Sequence, residues 1–178
     1  YDDYVQDDDM RETQGGSGRQ HEDIPFSMGM SFSEYLKGQI YLTKMNKADR
    51  HIAKFVVGNI DDDGYLRRTV EELVDDLSFR EGLVVSEDKM QEIVDAVKEF
   101  DPVGVGAYDL QECLLIQLDR KEEVTSGVEL AKKILTHYFD AFYRHQFDKI
   151  GQRLQVSEDE LKEAMNEIVR LNPRPGNA

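Results

Sequence analysis

The sequence predicts an all-α fold, with two small helical bundles behind a disordered acidic N-terminal linker. Three observations predict it. From Ser31 onward, serine or threonine caps open runs whose apolar residues recur at helical spacing. Proline and glycine punctuate the ends of these runs, as at Asp101-Pro102, Gly104 and Gly106. A stretch at 85–104, VSEDKMQEIVDAVKEFDPVG, aligns without gaps to VSEDELKEAMNEIVRLNPRP at 156–175. Both copies are serine-capped amphipathic helices stopped by an acidic or amide residue and proline.

The opening YDDYVQDDDMRETQGGSGRQHED is acidic and poor in aliphatic residues. It has too little apolar surface to offset chain entropy, so residues 1–24 read as disordered, and the linker is assigned to residues 1–30. Ser31-Phe-Ser-Glu34 is a capping box, followed by Phe32, Leu36 and Ile40 on one face. Ile52, Phe55, Val56 and Ile60 form a second stripe. Thr69-Val-Glu-Glu72 is a second capping box, opening a short helix with Val70, Leu73, Val74 and Leu77 inward. Ser86 caps a helix carrying Met90, Ile93, Val94, Val97 and Phe100, which Asp101-Pro102 is expected to end.

DLQECLLIQL at 109–118 is apolar on more than one face and is expected to be the most buried helix. A connector near 119–127 precedes one further helix carrying Val128, Ala131, Leu135, Tyr138, Phe139 and Phe142. The repeat places the division between bundles at this connector: residues 31–120 form the first subdomain and 121–178 the second.

Residues 59–66, NIDDDGYL, raise the question of a metal. Counted from Asn59 as an EF-hand loop, Asn59, Asp61, Asp63 and Gly64 fall at positions 1, 3, 5 and 6. Position 12 is Val70, which cannot supply the bidentate carboxylate that closes such a site. The stretch reads instead as a connector between helices. Gly64 supplies a positive φ there, Tyr65 and Leu66 pack back onto the helices, and the aspartates stay in water or bond to turn backbone.

Charge narrows the partners. The net charge is −15, of which residues 1–23 carry −6 and residues 24–178 carry −9. A phosphate backbone is repelled on average, and no contiguous basic run exceeds pairs such as Arg67-Arg68 or Lys132-Lys133. No segment approaches the ~18 apolar residues of a membrane span. No secretory signal opens the chain, which starts at Tyr1 and reads as a piece of a longer protein. Cys113 is alone, so a disulfide framework is not expected and a cytoplasmic setting is.

Catalytic patterns are missing. His21, His51, His137 and His145 are scattered without metal-ligand spacing. Gly104-Val-Gly106 lacks the third glycine and the strand-turn-helix context of a dinucleotide site. Cys113 has no base beside it in sequence and reads as core packing. Neither an enzyme nor a cofactor is expected.

Three blocks, NIDDDGYL (59–66), FDPVGVGAYDLQECLLIQL (100–118) and LNPRPG (171–176), resemble the core-binding region of sigma-54, the enhancer-dependent bacterial sigma factor. The resemblance runs from about Phe32 to Gly176, and the acidic opening is similar to that family's variable acidic linker. It implies core RNA polymerase as partner, and docking of a transcription initiation factor for activator-dependent promoter opening. It also implies that the activator ATPase acts on the full-length factor, and that promoter DNA is read by parts absent from this chain. The family commonly has a basic residue where this chain has Tyr108, which weakens any charged contact at that position.

Residues and resemblance together imply an all-α, non-enzymatic polymerase-docking piece, with no membrane partner. A helical scaffold or peptide-binding adaptor is the rival from another class, and would need an exposed apolar groove. A calcium sensor is disfavoured by Val70. Candidate partner contacts are Asp61, Asp62 and Asp63 at the first turn, and Tyr108 and Asp109 at the second. Aspartates at helix ends also serve as caps, which is the competing structural role of each. Calorimetry with calcium is expected to show no binding tighter than millimolar. Micromolar affinity would restore the metal reading of residues 59–70.

Overall fold

The computed structural model describes residues 30–177; the expected linker, save Met30, lies outside the described residues. Nine α-helices follow among them: α1 (Phe32–Ile40), α2 (Lys47–Gly58), α3 (Val70–Glu81), α4 (Glu87–Val97), α5 (Leu110–Asp119), α6 (Ser126–His137), α7 (Phe139–Tyr143), α8 (Phe147–Leu154) and α9 (Glu158–Val169). A 3₁₀ turn spans Pro175–Asn177. The all-α expectation holds.

The helix starts lie where the caps put them. Ser31, Thr69 and Ser157 each form a full capping box, with the side chain accepting from the amide three residues on and the glutamate there reaching back. Asn46, Ser86, Asp109 and Thr125 cap α2, α4, α5 and α6. Two stops differ from expectation. α4 ends at Val97, and Phe100 packs from the following turn ahead of a cis Asp101–Pro102 bond. The run from Val128 to Phe142 is not one helix. It breaks at Tyr138, whose φ of −130° and ψ of 30° close α6 and start the short α7.

Two apolar cores result. The first gathers Leu36, Ile40, Ile52, Val56, Leu73, Leu77, Met90 and Val97 from α1 to α4. The second gathers Leu114, Leu118, Val128, Ile134, Leu135, Ile150, Ala164 and Ile168 from α5, α6, α8 and α9. The two cores therefore part ahead of α5, upstream of the 119–127 connector. α5 is apolar on several faces because each face meets a different neighbour. Leu114 and Leu118 enter the second core, while Cys113 joins Tyr65 and Ala107 in a small cluster between the two, with Ile116 packed against it. It is not the most buried helix; α6 buries five residues and α5 three.

The internal repeat is structural as well. α4 and α9 occupy the aligned segments, and each packs on the second helix of its own core, α2 or α6. The first helices correspond too. Five and nine residues after the caps Ser31 and Asp109 stand the buried pairs Leu36, Ile40 and Leu114, Leu118. One residue before the second of each pair is a glutamine, and both glutamines do the same thing. Gln39 Nε2 donates to the Asp101 carbonyl at 2.7 Å, while its Oε1 accepts from the Asp101 amide at 2.9 Å. Gln117 Nε2 donates to the Asn172 carbonyl at 2.7 Å, and its Oε1 accepts from the Asn172 amide at 2.8 Å. Asp101 and Asn172 are equivalent positions of the repeat, each directly before proline. A glutamine on the first helix thus clamps the backbone that leaves the last helix, once in each bundle.

The clamps differ in exposure, which sets their contributions. Gln117 sits in a part-buried site and Gln39 in an exposed one. Gln117→Ala strands a backbone donor and acceptor away from water and is expected to cost roughly 1–3 kcal/mol. Water replaces the lost partners of Gln39→Ala, so its cost should be smaller. Denaturant melts of the two variants check the order; equal losses would mean that the two clamps are equally buried from solvent.

Candidate functional site

The three blocks singled out in the sequence meet at one place, between the two cores. The first, 59–66, is a miniature hairpin rather than a plain helix C-cap. The Gly64 amide donates to the Asp61 carbonyl at 3.0 Å and the Asp61 amide to the Tyr65 carbonyl at 2.9 Å, with a bridge between Ile60 and Leu66. Gly64 has φ of +98°, the positive value expected of it. Asp61 organises the turn, its Oδ1 accepting from the amides of Asp63 at 3.0 Å and Tyr65 at 2.9 Å. Tyr65 and Leu66 are buried, as the turn reading requires.

The second block lies along this hairpin. The Gly106 amide donates to the Gly64 carbonyl at 2.8 Å, and the Leu66 amide to the Ala107 carbonyl at 2.9 Å. The third block closes the other side. The Gly176 amide donates to the Asp63 carbonyl at 2.9 Å, and Asn177 Nδ2 to the Asp63 carboxylate. The Tyr65 hydroxyl donates to the Pro173 carbonyl, with burial raising the phenol's pKa far above its ordinary value. Cys113 beneath is fully buried, and burial likewise raises its thiol, so it is held protonated as a packing group.

Approach is so close that two glycines are required. A Cβ on Gly64 would lie 2.8 Å from the Gly176 amide nitrogen and 2.9 Å from Pro175 Cγ. A Cβ on Gly176 would lie 2.2 Å from the Asp62 carbonyl oxygen. Backbone rests on backbone there, with no flexible side chain to yield.

The five candidate contact residues rim this junction, but their surroundings differ. Asp61 is committed to the turn and to Arg67, 3.4 Å from its second oxygen. Asp63 accepts from Asn177. Asp109 caps α5, its Oδ1 accepting from the Glu112 amide at 2.9 Å. Asp62 and Tyr108 are exposed, and their side chains have no hydrogen-bond or ion-pair partner among the described residues. Tyr108 holds its place through its backbone, the amide donating to Glu112 Oε1 at 2.7 Å. Sequence reasoning missed Gln117, Asn172 and Gly176, which hold the junction. The aligned Asp101 and Asn172, each before proline, were the available signal.

Gly64→Ala is expected to destabilise the chain by roughly 1 kcal/mol or more from its φ alone. Gly176→Ala, at an unremarkable φ, should be at least as damaging because its methyl meets a carbonyl oxygen. Thermal melts, with alkylation of Cys113 to report opening of the junction, check both; a neutral Gly176→Ala would show that the third block does not seat on the hairpin.

Comparison with known proteins agrees with the resemblance of the three blocks. A family model described as "Sigma-54 factor, core binding domain" matches residues 25–178. The chain is 34% identical over 158 residues to the RNA polymerase sigma-54 factor of Escherichia coli (strain K12), covering 87% of this chain and 32% of the relative. It is 36% identical over 158 residues to the factor of Salmonella typhimurium, with the same coverage. It is 35% identical over 150 residues to that of Azotobacter vinelandii, covering 84% of this chain and 30% of the relative. The chain spans about a third of the length of these curated relatives. It belongs to the sigma-54 factor family, and the part it represents is that family's core binding domain.

Proposed function

We propose that this chain docks a sigma-54-type initiation factor onto core RNA polymerase and supplies no catalytic group. The observation that carries the reading is the convergence of the three family blocks on one junction, which fixes two helical bundles against each other and presents a rimmed surface. A partner surface needs such rigidity, because ordering it on binding would cost affinity. Activator ATPase and promoter DNA would act on regions of the full-length factor outside this chain, in the cytoplasm. Among the described residues no helix is long and apolar enough to cross a membrane.

Within the rim, the side chains of Asp62 and Tyr108 are the best candidates for contact, because neither has a visible task in the fold. Asp61, Asp63 and Asp109 each have one. They serve docking by shaping the rim, whether or not they also touch the partner. The scaffold rival needs an exposed apolar groove. Exposed large apolar side chains do occur, among them Leu42, Phe79, Val84 and Val169, but they lie on different elements.

A surface-binding assay of the chain with core polymerase is expected to give saturable binding whose on-rate falls as salt rises. Without polymerase, a gel shift on duplex DNA at physiological salt should show nothing, given the net charge of −9 on residues 24–178. Asp62→Ala and Tyr108→Ala should weaken polymerase binding while leaving the melting temperature unchanged. Asp61→Ala and Asp109→Ala should instead cost about 1 kcal/mol of stability, as lost turn and cap residues do. Absence of saturable binding at low salt would leave the scaffold reading in place of docking.

A further inference from the structure

Within the first bundle, one stretch is rich in cations. Residues 37–54 carry Lys37, Lys44, Lys47, Arg50 and Lys54 against a single acid, Asp49. Asp49 is turned away, its carboxylate 3.3 Å from Lys89 Nζ on α4. Every lysine and arginine from Arg67 to Lys132 has a carboxylate within ion-pair distance. None of the five from Lys37 to Lys54 has one among the described residues. Lys133, Lys149, Arg153, Lys162 and Arg174 of the second bundle also have none among the described residues, so what sets this stretch apart is how it clusters its cations.

The geometry gathers three of the five. Lys47, Arg50 and Lys54 are spaced i, i+3 and i+7, so they share one face of α2. That face meets the end of α1 at Tyr41, with the Arg50 guanidinium 5.5 Å and the Lys54 ammonium 5.3 Å from the ring centroid. A hydrogen bond from Lys54 lowers the Tyr41 phenol pKa, and the Arg50 charge adds to that effect. Arg50 Nε is buried without a hydrogen-bond partner among the described residues. Beside the ring, Leu42 is 85% exposed and Tyr41 54%.

We propose that this corner between α1 and α2 is a docking surface for an acidic protein segment of polymerase that carries an apolar side chain. The carboxylates of such a segment would pair with Arg50, Lys54 and Lys47, and its apolar residue would rest on Leu42. A nucleic acid fits less well. The Tyr41 ring is already engaged by two cations and is not a free stacking platform. A phosphate backbone would also run beyond the patch onto a surface whose net charge repels it. The assignment rests on the docking reading above and adds to it a contact of opposite electrostatic sign to the acidic rim.

The test uses the full chain with Arg50→Glu and Lys54→Glu together, and separately Leu42→Ala, whose exposed side chain has little part in the fold. Lys149→Glu with Lys162→Glu, exposed lysines of the second bundle, carries the same charge change elsewhere. In the polymerase assay the patch variant should lose roughly 10-fold in on-rate at low salt and show a flatter salt dependence than the control variant. Leu42→Ala should speed dissociation. Patch and control variants that behave alike would overturn the patch and leave docking itself intact.

A second arm does not depend on polymerase. A synthetic peptide of alternating Glu and Leu should shift the NMR signals of Tyr41 and Lys54 saturably in the unmodified chain and not in the patch variant. No shift would overturn the acidic-segment chemistry even if polymerase binds. Tighter binding of a labelled single-stranded oligonucleotide at the same residues would overturn it in favour of nucleic acid. Tighter polymerase binding after Asp7→Asn, Asp8→Asn and Asp9→Asn, seen only with the patch intact, would assign the patch to the chain's own acidic opening instead.

Discussion

Two bundles of this size could easily be independent beads; what prevents it is a set of backbone hydrogen bonds exchanged among three loops. The hairpin around Asp61–Tyr65 exchanges backbone bonds with the strip at Gly104–Ala107 on one side and accepts from the tail at Gly176 on the other, while Gln117 holds the tail's Asn172. Each loop contains backbone groups that would be costly to bury alone. Brought together they need little water, and the space between them is small enough to demand glycine at 64 and 176. The seal underneath is apolar, formed by Tyr65, Ala107 and Cys113. Loops usually loosen a structure. Here they are the joint.

The glutamine clamps show how that joint came to be available. Each bundle runs from a capped first helix to a last helix ended before proline, and the exit strand is held against the first helix by one glutamine. In the first bundle the clamp faces water at Gln39. In the second, the equivalent exit strand lies between Gln117 and the hairpin of the first bundle, so the same local device also acts between bundles. Ion pairs across α4 and α5, Lys98 with Glu112 and Arg120 with Glu99, reinforce the alignment. Arg120 adds a 3.1 Å bond to the Lys98 carbonyl. These groups are partly exposed, so their share is modest beside the buried backbone bonds.

Much of this was legible in the sequence because it is written locally. Capping boxes at Ser31 and Thr69 and the cap at Ser86 state where helices start, and the aligned segments 85–104 and 156–175 state that a unit recurs. Gly64 announced its φ by standing in a polar turn between apolar runs. What could not be read is pairwise and distant. Gln117 looks like any polar residue on a helix until Asn172 is seen beside it, 55 positions later. The division of the cores ahead of α5 was hidden because Leu114 and Leu118 have the same spacing whichever core they enter. The break at Tyr138 carries no glycine or proline to signal it. The cations of α1 and α2 form no contiguous run in the sequence; helical spacing, not adjacency, collects Lys47, Arg50 and Lys54.

A highly acidic chain needs more than its net charge to bind selectively. A uniform charge of one sign steers any oppositely charged surface and distinguishes poorly among them. If the rim carrying Asp62 near the junction and the cationic corner at Tyr41 both meet the partner as proposed, they impose a pattern that the partner must match at two places with opposite signs. The junction makes the pattern meaningful, because two charged surfaces on bundles free to turn would present no fixed spacing. On that reading, rigidity from buried backbone and specificity from exposed charge are coupled: loosening the glycine contacts at 64 and 176 would blur the spacing without touching either charged surface.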